Sequence, residues 1–194
     1  MMLKIGLTGG IGSGKTVVCE AFKCLGIPVY QADTEAKRLY DTDEILRRQM
    51  IELFGSDLYK GQFLDRKILA SIIFNDREAL NTINKLVHPA VERDFNDWAS
   101  QQHTVPYVIQ EAAILFESGI ARLMDKTITI SAPETLRIWR ASLRDNVSTE
   151  DIRRRIENQM NDNERNCLAD FIIVSNDITP MLPQILNIHN KLIG

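Results

Sequence analysis

The chain has 194 residues, 44% of them hydrophobic and 25% charged, enough for one well-packed domain that builds its own core. Its 23 basic and 26 acidic side chains leave a formal net charge of −3, which gives no ground for bulk binding to nucleic acid or an acidic membrane. Three cysteines (Cys19, Cys24, Cys167) lack metal-site spacing, the first apolar run is too short for a signal peptide, and no stretch nears the roughly 20 apolar residues of a membrane span. These features exclude a membrane protein and a disulfide scaffold, and they predict a cytoplasmic location with reduced thiols.

The first expected element is a strand over 3–8. It runs into Gly9-Gly10-Ile11-Gly12-Ser13-Gly14-Lys15-Thr16, a complete G-x-x-x-x-G-K-[ST] phosphate loop, and a helical segment opens at Lys15 and continues to about Leu25. That is the context the motif needs. Glycines let the backbone curl so that successive N–H groups of Gly10, Ile11, Gly12, Ser13 and Gly14 point at phosphate oxygens, and the new helix adds its dipole. Lys15 would bridge the β- and γ-phosphates, and the Thr16 hydroxyl would ligate Mg²⁺.

A second strand is expected over 27–31, followed by Asp33. A carboxylate at the carboxyl end of a parallel strand could orient an acceptor hydroxyl and take its proton. It could equally cap the helix that Thr34-Glu35-Ala36-Lys37 begins. About 75 residues then separate this strand from the next, far more than one crossover helix requires. Helical periodicity over 43–54, 65–74 and 77–100 fills them, with Pro89 expected to kink or restart the last helix after His88. His88 on its own reads as structural. A lobe inserted beside the carboxyl edge of the sheet is where an acceptor pocket could be built.

The third strand, over 106–113, carries Glu111, where kinase-type phosphate-loop folds often keep an acid that holds Mg²⁺ through water. Glu117 follows Ile114-Leu115-Phe116 as a weaker acceptor-side candidate. Strands are also expected over 126–131 and 170–174. Between them lie seven of the 14 arginines, from Arg137 to Arg165, with no lysine between Lys126 and Lys191. Arg137, Arg140 and Arg144 share helical spacing, and arginine's forked donors suit phosphate oxygens. Some of these arginines must only pair with Glu134, Asp145, Glu150, Asp151 and Glu157 on a solvated surface. With a phosphate loop in the same chain, the cluster reads as a helical lid that keeps water from the triphosphate.

Short strands alternating with helices give an α/β fold, a three-layer sandwich around a parallel sheet. The expected division is a core of 1–34, 104–136 and 166–194, a helical acceptor-binding region 35–103 and a lid 137–165, all in one domain. The site reads as that of a small-molecule kinase. A nucleotide-switched binding module is the reading from another class. Its guanine form would need Asn-Lys-x-Asp, and Asn84-Lys85 is followed by Leu86-Val87 instead.

The chain resembles bacterial dephospho-CoA kinases from about Lys4 to Asn176. The likeness rests on Leu7 to Lys15, Ala32-Asp33, Leu86-Val87-His88-Pro89, Ile114-Leu115-Phe116-Glu117, Arg140 with Arg144-Asp145, Arg155 with Gln159, and Ala169-Asp170 leading to Asn176. The resemblance implies strand order 2-3-1-4-5, and ATP-dependent phosphorylation of the ribose 3′-hydroxyl of dephospho-CoA, with Mg²⁺. It implies Asp33 as the base and His88 on the acceptor side. It also implies Arg140 and Arg144 near the triphosphate, and Asn176 on the adenine side. Three positions depart from the family pattern: Gln31 stands where an Asp is common, Ala113 where a proline is common, and Asp177 where a glycine is usual. Another phosphate-loop kinase, for a nucleoside monophosphate or a metabolite alcohol, is the alternative within enzymes. A monomer or weak homo-oligomer is expected.

Overall fold

The computed structural model describes residues 2–74 and 76–194. Met1, at the head of the N-terminal apolar run, and Asn75, between two expected helices, lie outside the described residues. In chain order the elements are β1 (Leu3–Gly9), α1 (Lys15–Cys24), β2 (Val29–Gln31), α2 (Ala32–Thr42), α3 (Glu44–Phe54), β3 (Tyr59–Lys60), β4 (Phe63–Leu64), α4 (Arg66–Phe74) and α5 (Arg77–Ser100). They continue with β5 (Tyr107–Glu111), β6 (Lys126–Ser131), α6 (Glu134–Asp145), α7 (Thr149–Glu157), α8 (Asp162–Leu168), β7 (Phe171–Val174) and α9 (Met181–Ile193). Two compact units result: Met1–Gln31 with Gln102–Gly194, and Ala32–Gln101.

The first unit is built on a five-stranded parallel sheet in the order β2-β5-β1-β6-β7. With the short hairpin strands β3 and β4 set aside, that is the order 2-3-1-4-5. Period-2 alternation decides which residues meet the helices. Ile5 and Leu7 of β1, Tyr107 and Ile109 of β5, Ile128 and Ile130 of β6, and Ile173 of β7 face Val18, Cys19 and Phe22 of α1 and Ile185, Ile188 and Leu192 of α9. All are buried, and each large side chain contributes about 1.5–3 kcal/mol by leaving water. On the opposite face Leu115 and Met124 lie over Gly6, and α8 packs on β6. β2 starts at Val29 rather than 27 because Pro28 has no N–H to donate; its carbonyl instead accepts from Ile109 N–H at 3.0 Å. No helix of the described residues is long and apolar enough to cross a membrane, and Cys19, Cys24 and Cys167 are all free.

The second unit packs α2, α3 and α4 on the long helix α5. Arg38 forks onto both Asp94 oxygens at 2.6 Å, tying α2 to α5. Asp43 caps α3 by accepting from Ile45 and Leu46 N–H and also meets Arg93 at 3.1 Å. Of the kink or restart expected at Pro89, the restart does not occur: α5 runs 24 residues through it. One missing i→i−4 bond costs less than the packing of Ile83, Val87, Ala90, Val91 and Phe95, all buried on the same helix, supplies. The hairpin β3–β4 has no counterpart among the expected elements; its turn carries Gly61 at φ 64°.

Candidate active site

β1 ends at Gly9 and α1 begins at Lys15, so the phosphate loop fills the gap between them. Gly14 caps α1 in the left-handed region at φ 103°, and Ser13 N–H closes the turn on Gly10 O at 3.1 Å. The loop is pressed against the first turn of α6. A Cβ at Gly10 would lie 2.2 Å from Arg137 Nη1, and one at Gly12, whose φ is 75°, would lie 2.1 Å from the Arg137 carbonyl oxygen. Lys15 Nζ reaches back to Gly9 O at 2.7 Å, across the mouth of the loop. Ser13 Oγ is buried without a hydrogen-bond partner among the described residues. An orphaned hydroxyl, a lysine and a helix N-terminus at one glycine turn fit a triphosphate.

Thr16, exposed in the first turn of α1, supplies a hydroxyl of the kind that ligates Mg²⁺. Glu111 ends β5 in register with Leu7 of β1 and with Gln31 of β2, and it is buried. Burial pushes the Cys19 thiol up to about 12; the nearby Glu111 charge adds to the rise, while Lys23 and Lys15 oppose it. Cys19 is therefore a neutral packing group. A hydroxyl and a carboxylate form a hard-oxygen donor set that suits Mg²⁺.

The arginines divide into two sets. Arg137 and Arg165 are each only 3% exposed and share Asp162, with Arg137 Nη2 at 2.8 Å and Arg165 Nη2 at 2.7 Å. Arg165 also donates to Met160 O at 2.6 Å, and Met160 N–H donates to Glu117 Oε1 at 2.9 Å. Burial lowers the pKa of Arg165, against the pull of Asp162 and Glu117. Ile11 N–H of the phosphate loop donates to Gln159 Oε1 at 2.9 Å. A cavity of about 440 Å³ opens here, lined by Arg137, Gln159, Asp162 and Arg165 among others. Arg137, expected from its spacing to share a helix face with Arg140 and Arg144, is buried against the loop. Gln159 and Asp162 carried no role in the sequence, because one partner is a backbone amide and the other is reached only through folding.

Arg140 donates from Nη1 to Ser175 Oγ at 3.0 Å and pairs through Nη2 with Asp177. Ser175 Oγ in turn would lie 3.4 Å from a Cβ at Gly14, so Arg140 stands beside the phosphate loop. Ser175 is the residue that sequence reasoning missed. Arg144 pairs with its neighbour Asp145 at 2.7 Å, and Arg155 reaches the same carboxylate at 3.1 Å. Arg153 and Arg154 meet Glu134 and Asp151 at 3.7 and 3.8 Å, the ordinary surface pairing expected of some members. Asn176 Oδ1 accepts from Ile178 and Thr179 N–H and closes the turn after β7.

In the second unit, Asp33 lies exposed in the first turn of α2, one residue inside the helix rather than at its cap, with no hydrogen-bond or ion-pair partner among the described residues. It follows Gln31, the β2 partner of Glu111, by two positions. His88 is half-buried on α5, and burial lowers its pKa.

The family model for dephospho-CoA kinase matches residues 3–180. A dephospho-CoA kinase from Bacteroides fragilis is 39% identical over 188 residues, spanning 97% of this chain and 92% of its own. A solved protein from Thermus thermophilus superposes with a TM-score of 0.81 at 30% identity, covering 98% of this chain and 96% of that one. The dephospho-CoA kinase from Campylobacter jejuni does so with a TM-score of 0.72 at 26% identity, covering 99% and 98%. The chain belongs to the dephospho-CoA kinase family, enzymes that phosphorylate dephospho-CoA with ATP in coenzyme A synthesis.

Proposed function

We propose that the chain transfers the γ-phosphoryl of ATP to the ribose 3′-hydroxyl of dephospho-CoA, with Asp33, Lys15 and Arg140 at the reacting groups. The observation that carries this is the convergence of Lys15 and Arg140 on one glycine loop: the first bonds Gly9 O, and the second is held at Gly14 by Ser175. The 10–16 loop holds the phosphates through the N–H groups left when Ile11 N–H pairs with Gln159 and Ser13 N–H with Gly10 O, and Arg144 and Asn176 complete the nucleotide side. The Thr16 hydroxyl and Glu111 would hold Mg²⁺, which would supply neutralisation of the phosphate charge.

Asp33 aligns the acceptor hydroxyl and takes its proton late, as the new O–P bond forms and the β–γ bridging bond breaks to release ADP. Its lack of a partner leaves it free for that work. Lys15 and Arg140 stabilise the charge on the migrating phosphoryl. His88 and Glu117 act on the acceptor side, and residues 137–165 close as a lid that excludes water. Free thiols support a cytoplasmic location, as a monomer or weak homo-oligomer.

The test follows ADP release and product mass with ATP, Mg²⁺ and dephospho-CoA, with AMP, adenosine and shikimate as parallel acceptors. Conversion of dephospho-CoA alone is expected, with Asp33→Asn lowering turnover by about 10²–10⁴-fold at unchanged ATP affinity. Turnover of another acceptor would transfer the assignment to that substrate, and ATP binding without any turnover would leave a nucleotide-gated module. Full activity in Asp33→Asn would reduce that residue to a helix-turn acid.

A further inference from the structure

Arg140 projects from α6 to the carboxyl end of β7, and the groups that receive it there are fixed in their turn. Ser175 is buried and its N–H donates to Ser131 O at 2.8 Å, so the hydroxyl that accepts from Arg140 cannot wander. The next residue, Asn176, closes the following turn with bonds of 3.1 and 2.8 Å from Ile178 and Thr179 N–H. Asp177 sits on that turn at φ 60°, a left-handed conformation that an L residue adopts at a cost glycine would not bear. Its side chain is 62% exposed, so no packing requirement accounts for it. What the carboxylate does contact is Arg140 Nη2. Arg144, one turn further along α6, pairs with its chain neighbour Asp145, which Arg155 also reaches.

We propose that Asp177 is a positioning residue: together with Ser175 it holds the Arg140 guanidinium beside Gly14, in place before the triphosphate arrives. A guanidinium carries five N–H donors, so it can keep Ser175 and Asp177 and still grip phosphate oxygens. A long side chain ordered in advance gives up less rotamer freedom when the nucleotide binds. A glycine at this place would leave the same turn unstrained but without the carboxylate. This inference rests on the reading of Arg140 as a phosphate ligand, and the experiment separates the two.

Steady-state kinetics are measured for Arg140→Lys, Asp177→Asn, Asp177→Gly and the Arg140→Lys/Asp177→Asn double variant, with thermal melting of each without nucleotide. Arg140→Lys is expected to lower kcat/KM by about tenfold or more, since an ammonium cannot reproduce the fork. Both Asp177 variants are expected to raise KM for ATP about three- to fivefold, the size of an exposed ion pair, without changing KM for dephospho-CoA. Asp177→Asn should melt with the parent and Asp177→Gly no lower, so the kinetic loss is not a folding loss. On the Arg140→Lys background, Asp177→Asn should add nothing. A KM for ATP that is unchanged in Asp177→Asn makes the ion pair incidental, and one that falls makes Asp177 a competitor of the phosphates; either overturns the proposal. Equal penalties on both backgrounds overturn it too, because the residue would then act through the turn alone. A kinetically silent Arg140→Lys removes the phosphate-ligand reading, and the proposal with it.

Discussion

Glycines that share a positive φ can be held to it by different forces. Gly12 has φ 75° and its missing Cβ would strike the backbone carbonyl of Arg137 at 2.1 Å; Gly61 has φ 64° and nothing within 4 Å. Gly61→Ala meets only the left-handed backbone cost and is expected to lose about 1–2 kcal/mol. Gly12→Ala adds a clash with a buried helix turn that cannot give, and is expected to lose at least about 3 kcal/mol and to weaken ATP binding. Denaturant unfolding of the two variants checks this, and equal losses would mean that α6 yields freely. The motif announced Gly12 from the sequence, but its collision partner could not be seen there. The same holds for Ser13, whose buried, unpartnered hydroxyl is a property of the folded loop.

Helices α6 and α7 owe their arrangement to a small apolar cluster of their own. Ile138 and Ala141 of α6 and Ile152 of α7 are buried together, with Ile11, Val147 and Ile156 packed against them. Asn146 ends α6 in the left-handed region and the Ser148 side chain caps α7 through Asp151 N–H, which fixes the turn between them. Because Ile11 belongs to the phosphate loop, this cluster ties α6 and α7 to that loop. Ile152→Ala is expected to remove about 2–4 kcal/mol from this cluster and to speed amide exchange across residues 137–157, with a rise in KM for ATP. Exchange that quickened evenly over the whole sheet would show that α6 and α7 have no separate stability. Helical periodicity made α3, α4 and α5 legible to within a residue or two. It could not supply the hairpin β3–β4, whose strands are two residues each and show no period at all. Pro89 does not end its helix for a physical reason: the loss of one N–H is outweighed by packing along a 24-residue helix.

At the scale of the whole molecule, stability should depend on pH through His88. Burial holds its imidazole below the ordinary value near 6.5, so the unfolded chain binds the proton first as pH falls. The stability tied to this group is therefore complete above about 6.5 and is lost as pH falls through the folded-state value. His88→Gln, which cannot charge, should flatten that loss; parallel unfolding curves of parent and variant from pH 7.5 to 5 would assign the acid sensitivity elsewhere. The sequence by itself determined the nucleotide loop, the parallel α/β class and the family, because all three rest on residues contiguous in the chain or on local periodicity. Strand order came with the family resemblance, since no pairing can be read from a strand alone. Only the tertiary structure decided which arginines are buried and which carboxylate or hydroxyl each one meets. Arg137 and Arg165 meet over Asp162, and Arg140 meets Ser175 and Asp177, across 25 to 37 residues of intervening chain. Helical spacing puts arginines on a common face, but burial and counter-charge, which depend on what packs against that face, sort them into different tasks.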